Sequence, residues 1–381
     1  MVNKIEKRGI NMSNTEITIQ KAGEVILTAY KGKEIKDFPT YMMWGKPGIG
    51  KSDLVLEIVK TIADERKLKY TVKDCRLASY DPIDIKGLPF IDKDGVSRFT
   101  KPDIVDFDNN KDYIHVLFLD ELSATPPATQ VACYQLILNR RIGEYKLPDN
   151  VFIIAAGNGR EHGSVSYKMP RALSNRMYHL DTTTDFDSWR AWAIKNGIDP
   201  RITAFLREQP NELYSDLKHC GNAYCTPRSW ASLSKTIEGT NMTKENKELM
   251  YLLCQSAIGE TAIDFVEFCL QQYKIPTFAD IVSRNYKGVD VNEPGLMYNL
   301  ESNLIYEIAK DNEKSNTITN VKAIAEFMTW LDKQNVPEYA AILFKDIRSL
   351  KKVPQDVYYY RELVKTSRKE LVAKMKEWMS F

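Results

Sequence analysis

No stretch of this chain approaches the ~20 consecutive apolar residues that a membrane-crossing helix needs, and its opening, MVNKIEKRGIN, lacks the apolar core of a secretion signal. Neither a secreted nor a membrane-spanning protein is expected, and the localisation expected is cytoplasmic. Charge of one sign is also missing. Lys+Arg 53 against Asp+Glu 51 leaves a net charge of +2, and a balance so near zero does not mark a nucleic-acid binder. Cysteine is sparse. The six thiols, Cys75, Cys133, Cys220, Cys225, Cys254 and Cys269, are scattered and mostly flanked by apolar residues, which fits reduced core thiols in a cytosolic protein. His219, Cys220 and Cys225 lie close together, but a structural zinc site wants four ligands and no fourth is in reach of the pattern. There is no internal repeat and no low-complexity linker. The segment Lys7-Arg8-Gly9-Ile10-Asn11-Met12 reads as a translated ribosome-binding site, with Met12 as the natural first residue; the alternative is a polar, disordered N-terminus.

What is present is glycine in one place. In WGKPGIGKS, Gly45, Gly48 and Gly50 surround Lys51 directly after the apolar run Tyr41-Met42-Met43-Trp44. The run 39–44 is expected to be a buried strand, and Ser52 to Arg66 a helix with the stripe Val55, Ile58, Val59, Ile62. A helix is expected over 16–31, and further strands over 69–77, 114–120, 151–157 and 177–180. Continuous apolar strands between helices imply a parallel sheet covered on both faces. Thr125 is expected to cap a helix beginning at Pro126. Two hairpins are expected, over 87–102 with Asp94-Gly95 at its turn and over 139–150. From about Phe186 strand signals fade and helical periodicity continues, as in Val321, Ile324, Met328 and Leu331, then Val364, Leu371, Met375 and Trp378.

The glycine stretch fits G-x-x-x-x-G-K-[ST] as Gly45, Gly50, Lys51 and Ser52. Glycines let backbone N–H groups close around phosphate oxygens, and the helix that follows directs its positive end at the same anion. Lys51 would reach the β- and γ-phosphates, and Ser52 would ligate Mg²⁺. Asp120, at the tip of the strand HVLFLD, is a carboxylate that wants a cation, here Mg²⁺. Glu121 beside it would orient or deprotonate an attacking water. Asn158, ending VFIIAAGN, could fix that water or simply occupy a turn.

GKPGIGKS, HVLFLDEL, AAGN, MPRALSNRM and CTPRSW, in this order, resemble the motifs of AAA+ ATPases, and more narrowly the MoxR-like branch of the dynein-related group. The stretches RLASYDPIDIKGLPF, PTFADIV and NVPEYAAIL extend the resemblance over nearly the whole chain from Met12. The resemblance implies a P-loop α/β fold, an αβα core with a five-stranded parallel sheet followed by an α-helical lid and an α-helical C-terminal region. It divides the chain into an extension 1–14, a nucleotide-binding core 15–185, a lid 186–270 and a C-terminal domain 271–381. It places Gly45, Lys46, Pro47, Gly48, Ile49, Gly50, Lys51 and Ser52 in Walker A, Asp120 and Glu121 in Walker B, and Asn158 at sensor 1. Arg176 matches the arginine finger and Arg228 sensor 2, with Arg171 as the other candidate finger, because it stands where the family often has an acidic residue. ATP and Mg²⁺ are the implied cofactors. A ring, commonly a hexamer, is implied, in which the finger enters the neighbour's site, and the implied partner carries a von Willebrand factor A domain. The hairpin tips, Lys93-Asp94-Gly95 and Glu144-Tyr145, are candidates for contact with substrate or partner, or plain surface turns. A nucleic-acid-directed motor is the second reading. Against it, Lys365, Arg368, Lys369, Lys374 and Lys376 are interleaved with Glu362, Glu370 and Glu377. A nucleotide-gated scaffold is the third, and Glu121 weighs against that one.

Overall fold

Apolar runs bounded by helices fold here as a parallel sheet. The computed structural model describes residues 16–159, 167–215, 221–271, 275–314, 318–350, 358–367 and 369–378. The expected extension 1–14, His219, Cys220 and Arg368 lie outside the described residues. The chain divides into two compact units, Met1–Thr184 and Asp185–Phe381.

The first unit contains β1 (Ile17–Thr18), α1 (Ile19–Tyr30), β2 (Tyr41–Trp44), α2 (Lys51–Arg66), β3 (Lys69–Arg76), α3 (Pro82–Lys86), β4 (Pro89–Ile91) and β5 (Ser97–Phe99). These are followed by β6 (Tyr113–Asp120), α4 (Pro127–Ala132), α5 (Tyr134–Asn139), β7 (Arg141–Ile142), β8 (Tyr145–Lys146), β9 (Val151–Gly157), α6 (Arg171–Ser174) and β10 (Tyr178–Thr183). The six-stranded sheet runs β1-β10-β2-β9-β6-β3, and every pairing in it is parallel. Without β1, the order is fifth, first, fourth, third, second, and the fold is the αβα P-loop sandwich expected from the motifs. The carboxyl ends of β2, β6 and β9 lie side by side, which is where such sheets bind ligands. Strand β9 is buried throughout, whereas β3 at the edge buries only Cys75. The stripe Val55, Ile58, Val59 and Ile62 of α2 is buried.

In the first unit, two details differ from expectation. The segment expected as helix from residue 16 begins as the short strand β1, which adds a sixth strand beside β10. Thr18 stays extended and its hydroxyl accepts from the Lys21 amide at 3.2 Å, so the helix starts only at Ile19. Thr125 does not cap the next helix. Pro126 precedes another proline, which bars it from helical geometry; it sits at φ −55°, ψ 145° and α4 begins at Pro127. The Thr125 hydroxyl donates instead to the Glu121 carbonyl at 3.0 Å. Both hairpins form, β4 with β5 and β7 with β8, each antiparallel.

The second unit is helical: α7 (Phe186–Lys195), α8 (Pro200–Glu208), α9 (Pro227–Ile237), α10 (Lys247–Ile258), α11 (Ala262–Leu270), α12 (Phe278–Val282), α13 (Pro294–Lys314), α14 (Ile318–Lys333), α15 (Pro337–Ser349), α16 (Tyr358–Thr366) and α17 (Lys369–Trp378). One apolar cluster gathers Phe205, Trp230 and Phe265; another gathers Phe327, Met328 and Phe344. Of the expected stripes, Val321, Ile324, Met328 and Leu331 are buried, but Val364 is exposed, because the terminal segment forms two helices rather than one. Lys247–Leu270 contains an 18-residue window of mean hydropathy 1.2 and has the length and composition of a membrane span. It is not one straight helix: it breaks at Gly259, φ +66°, into α10 and α11, which pack on each other. Arg190 of α7 lies buried between Glu301 of α13, 2.7 Å from both carboxylate oxygens, and Asp346 of α15. Cys75, Cys133, Cys225, Cys254 and Cys269 are free and buried. Among the described residues, no group of His, Cys, Asp or Glu is arranged to hold a metal ion.

Candidate functional site

Strand β2 delivers Trp44 to the sheet's carboxyl edge, opposite Gly157 of β9 and Asp181 of β10. The chain then turns at Gly45. A Cβ there would stand 2.6 Å from the carbonyl and hydroxyl oxygens of Thr182 and 2.7 Å from Ile49. Only a bare residue fits. Gly48 and Gly50 have φ of +77° and +101°, a left-handed geometry that costs side-chain-bearing residues most. The loop therefore has main chain where other turns have side chains, and α2 begins at Lys51 directly behind it. Ile49 is buried, while Lys46 is exposed.

Lys51 is 8% exposed. Its ammonium donates to the carbonyls of Gly45 and Lys46, both at 2.9 Å, and to Asn158 Oδ1 at 3.1 Å. One cation thus gathers the loop and the tip of β9, which the sequence places 107 residues apart. Asn158 is itself fixed by Ser123: its amide donates to the Ser123 hydroxyl at 2.9 Å, and that hydroxyl donates to the Asn158 carbonyl at 2.9 Å. Gly157 makes room for this, because a Cβ there would stand 2.6 Å from Ser123 Oγ. Ser123, wholly buried, was not singled out from sequence; a small polar residue three positions past a strand-ending aspartate was the available signal.

Asp120 ends β6, and its carboxylate accepts the Glu121 amide at 2.8 Å. Glu121 has φ +57°, a conformation that costs a non-glycine residue about 1–3 kcal/mol and collects at functional sites. The turn that holds it is closed by two bonds to its carbonyl, from the Ala124 amide at 2.9 Å and the Thr125 hydroxyl at 3.0 Å. The Leu122 amide donates to the Ala156 carbonyl at 3.0 Å, tying this turn to β9. Asp74, near the end of β3, was also missed. Partial desolvation raises its carboxyl pKa although the side chain is exposed, the nearby Asp120 raises it further, and Arg76 opposes both.

Ser52, in the first turn of α2, and Asp120, at the tip of β6, supply a hydroxyl and a carboxylate. These are hard oxygen donors of the kind Mg²⁺ takes, so the donor set fits that ion.

Arg176 follows α6, its amide donating to the Leu173 carbonyl at 3.0 Å and its guanidinium lying 5.5 Å from the centroid of the Tyr134 ring. Arg171 opens α6 and lines a shallow cavity of about 660 Å³ with Ser174, Asn175 and His179. Arg228 is exposed in the first turn of α9, where Thr226 and Ser229 form a capping box. It belongs to the second unit, whereas every other candidate site residue belongs to the first.

No protein-family model and no curated protein matches the sequence. Among solved structures, the chain is similar to NtrX from Brucella abortus at 12% identity, over 96% of this chain and 69% of that one, with a TM-score of 0.31. It is similar to the ORC1 protein of Aeropyrum pernix, solved in complex with DNA, at 11% identity, over 95% and 82% of the chains, TM-score 0.32. It is similar to the ORC2 protein of Aeropyrum pernix, solved in ADPNP and ADP complexes, at 13% identity, over 98% of each chain, TM-score 0.31. Likeness at this level does not tie function to any of them.

Proposed function

We propose that this chain is an ATP-hydrolysing AAA+ motor of the MoxR type that works as a ring, a hexamer being the expected form, on a protein partner carrying a von Willebrand factor A domain or on that partner's client. The observation that carries the reading is the meeting of Lys51, the bare loop and Asn158 at the carboxyl edge of the sheet, next to a glutamate held in left-handed geometry.

The backbone N–H groups of Lys46 and of Gly48 to Ser52 bind the β- and γ-phosphates, and the start of α2 adds its dipole. Lys51 turns from carbonyl oxygens toward the γ-phosphate. Glu121 takes a proton from the attacking water, and Asn158 orients that water for in-line displacement. Ser52 and Asp120 would hold Mg²⁺, which when bound neutralises charge on the phosphate oxygens. Arg176, rather than Arg171, is the finger that a neighbouring subunit receives, and Arg228 is the sensor 2 residue of the lid.

Steady-state hydrolysis by the wild type and by Glu121→Gln tests the chemistry. The variant should keep nucleotide affinity and lose at least about a hundredfold in kcat. A wild type as slow as the variant, assembled and with partner present, supports a nucleotide-gated scaffold instead. A pull-down that recovers nucleic acid and no protein supports the nucleic-acid motor.

A further inference from the structure

One side chain joins the phosphate loop to the arginine-bearing turn of the same subunit. The Trp44 indole N–H donates to His179 Nδ1 at 2.8 Å. His179 Nε2 lies 2.8 Å from the Ser174 carbonyl and 3.1 Å from the Ser174 hydroxyl. An indole only donates and a carbonyl only accepts. The imidazole therefore accepts at Nδ1 and donates from Nε2. The two rings also stack, centroids 6.0 Å apart at 17°. Both ends of this link are placed to matter. Trp44 precedes Gly45, whose carbonyl holds Lys51, and the Trp44 carbonyl is itself fixed by the Thr182 hydroxyl at 2.7 Å. Ser174 ends α6, two residues before Arg176.

We propose that His179 is a positioning residue that couples the loop to the arginine turn, so that nucleotide held by one subunit sets the pose of the Arg176 offered to the next. This rests on the hydrolytic ring proposed above. Movement of Gly45 as phosphate enters shifts Trp44; the indole carries His179 with it, and the imidazole moves the Ser174 carbonyl and the turn that follows.

The test is steady-state ATP hydrolysis and fluorescent-nucleotide binding by the full chain. His179→Ala should lose about ten- to a hundredfold in kcat, up to the scale of a catalytic group misplaced by about 1 Å, with KM and nucleotide Kd within about twofold of wild type. Trp44→Phe, which keeps a ring and removes the donor, should lose the same amount, and the double variant should be no slower than either. His179→Gln, offering one acceptor and one donor, should recover part of the rate. Mixing His179→Ala subunits with Glu121→Gln subunits should raise turnover above either alone, since each leaves intact what the other lacks. Wild-type kcat in His179→Ala, or a loss matched by weakened nucleotide binding, overturns the coupling. A wild type without turnover overturns the hydrolytic reading, and this inference with it; a wild type that turns over beside an equally fast His179→Ala overturns the coupling alone.

Discussion

Two buried cations, one in each unit, are held in opposite ways. Lys51, 8% exposed, is seated on two main-chain carbonyls and a side-chain amide oxygen. Arg190, 3% exposed, is seated between two carboxylates, Glu301 and Asp346. Main-chain and amide oxygens hold Lys51 at the loop, whereas two carboxylates join three helices at Arg190. The first arrangement suits a charge that must later meet an anion. The second suits a structural bolt, in which α7, α13 and α15 meet at one guanidinium. Each cation's acceptors thus indicate whether it serves chemistry or architecture.

The comparison breaks most visibly at Lys51. Lys51→Ala should abolish detectable nucleotide binding and hydrolysis while leaving the melting temperature of the free protein within a degree or two, read by a nucleotide-binding titration and by calorimetry. Hydrolysis near the wild-type rate would remove Lys51 from the chemistry. The converse is expected of Arg190. Arg190→Met strands two buried carboxylates and should cost about 3–5 kcal/mol, seen in urea denaturation followed by circular dichroism. Replacing Arg190, Glu301 and Asp346 together by Met, Leu and Leu should recover most of that loss, because an apolar node of similar volume replaces the neutralised one. If Arg190→Met were as stable as wild type, the bolt would be ornamental.

The smallest effect sharpens the account of the bolt. Burial and the neighbouring Glu301 hold the Asp346 carboxyl well above its ordinary range, against the pull of Arg190. Burial also pushes Glu301 up, but Arg190 and the surrounding bonds more than offset it, leaving Glu301 low. The raised group stabilises the folded state at low pH and loses that contribution as pH rises through its folded pKa; the lowered one loses its contribution as pH falls. Stability of the helical unit should therefore decline as pH rises from the ordinary carboxylate range through the raised pKa of Asp346, and Asp346→Asn, which cannot ionise, should flatten that decline. An unchanged decline would place the proton elsewhere.

Legibility in the sequence followed how local each signal was. Strands β2, β6 and β9 were plain because a strand buried on both faces is an unbroken apolar run, and the loop was plain because no other use needs so many bare residues around one lysine. Strand β1 escaped because two residues carry no periodicity. Thr125 does not cap, although it precedes two prolines, because the ring of the second one decides where α4 can start. Ser123 and His179 act through contacts to residues 35 and 135 positions away, and Arg190 meets Glu301 across 111. No window of sequence holds such pairs.

Trp44 has one more consequence. The chain has six tryptophans, and the other five, Trp189, Trp192, Trp230, Trp330 and Trp378, all fall in the second unit. Replacing those five by phenylalanine would leave a single tryptophan, selectively excitable beside the tyrosines and stacked on an imidazole one residue from the loop. Its emission would then give stopped-flow traces of ligand arrival without any attached dye.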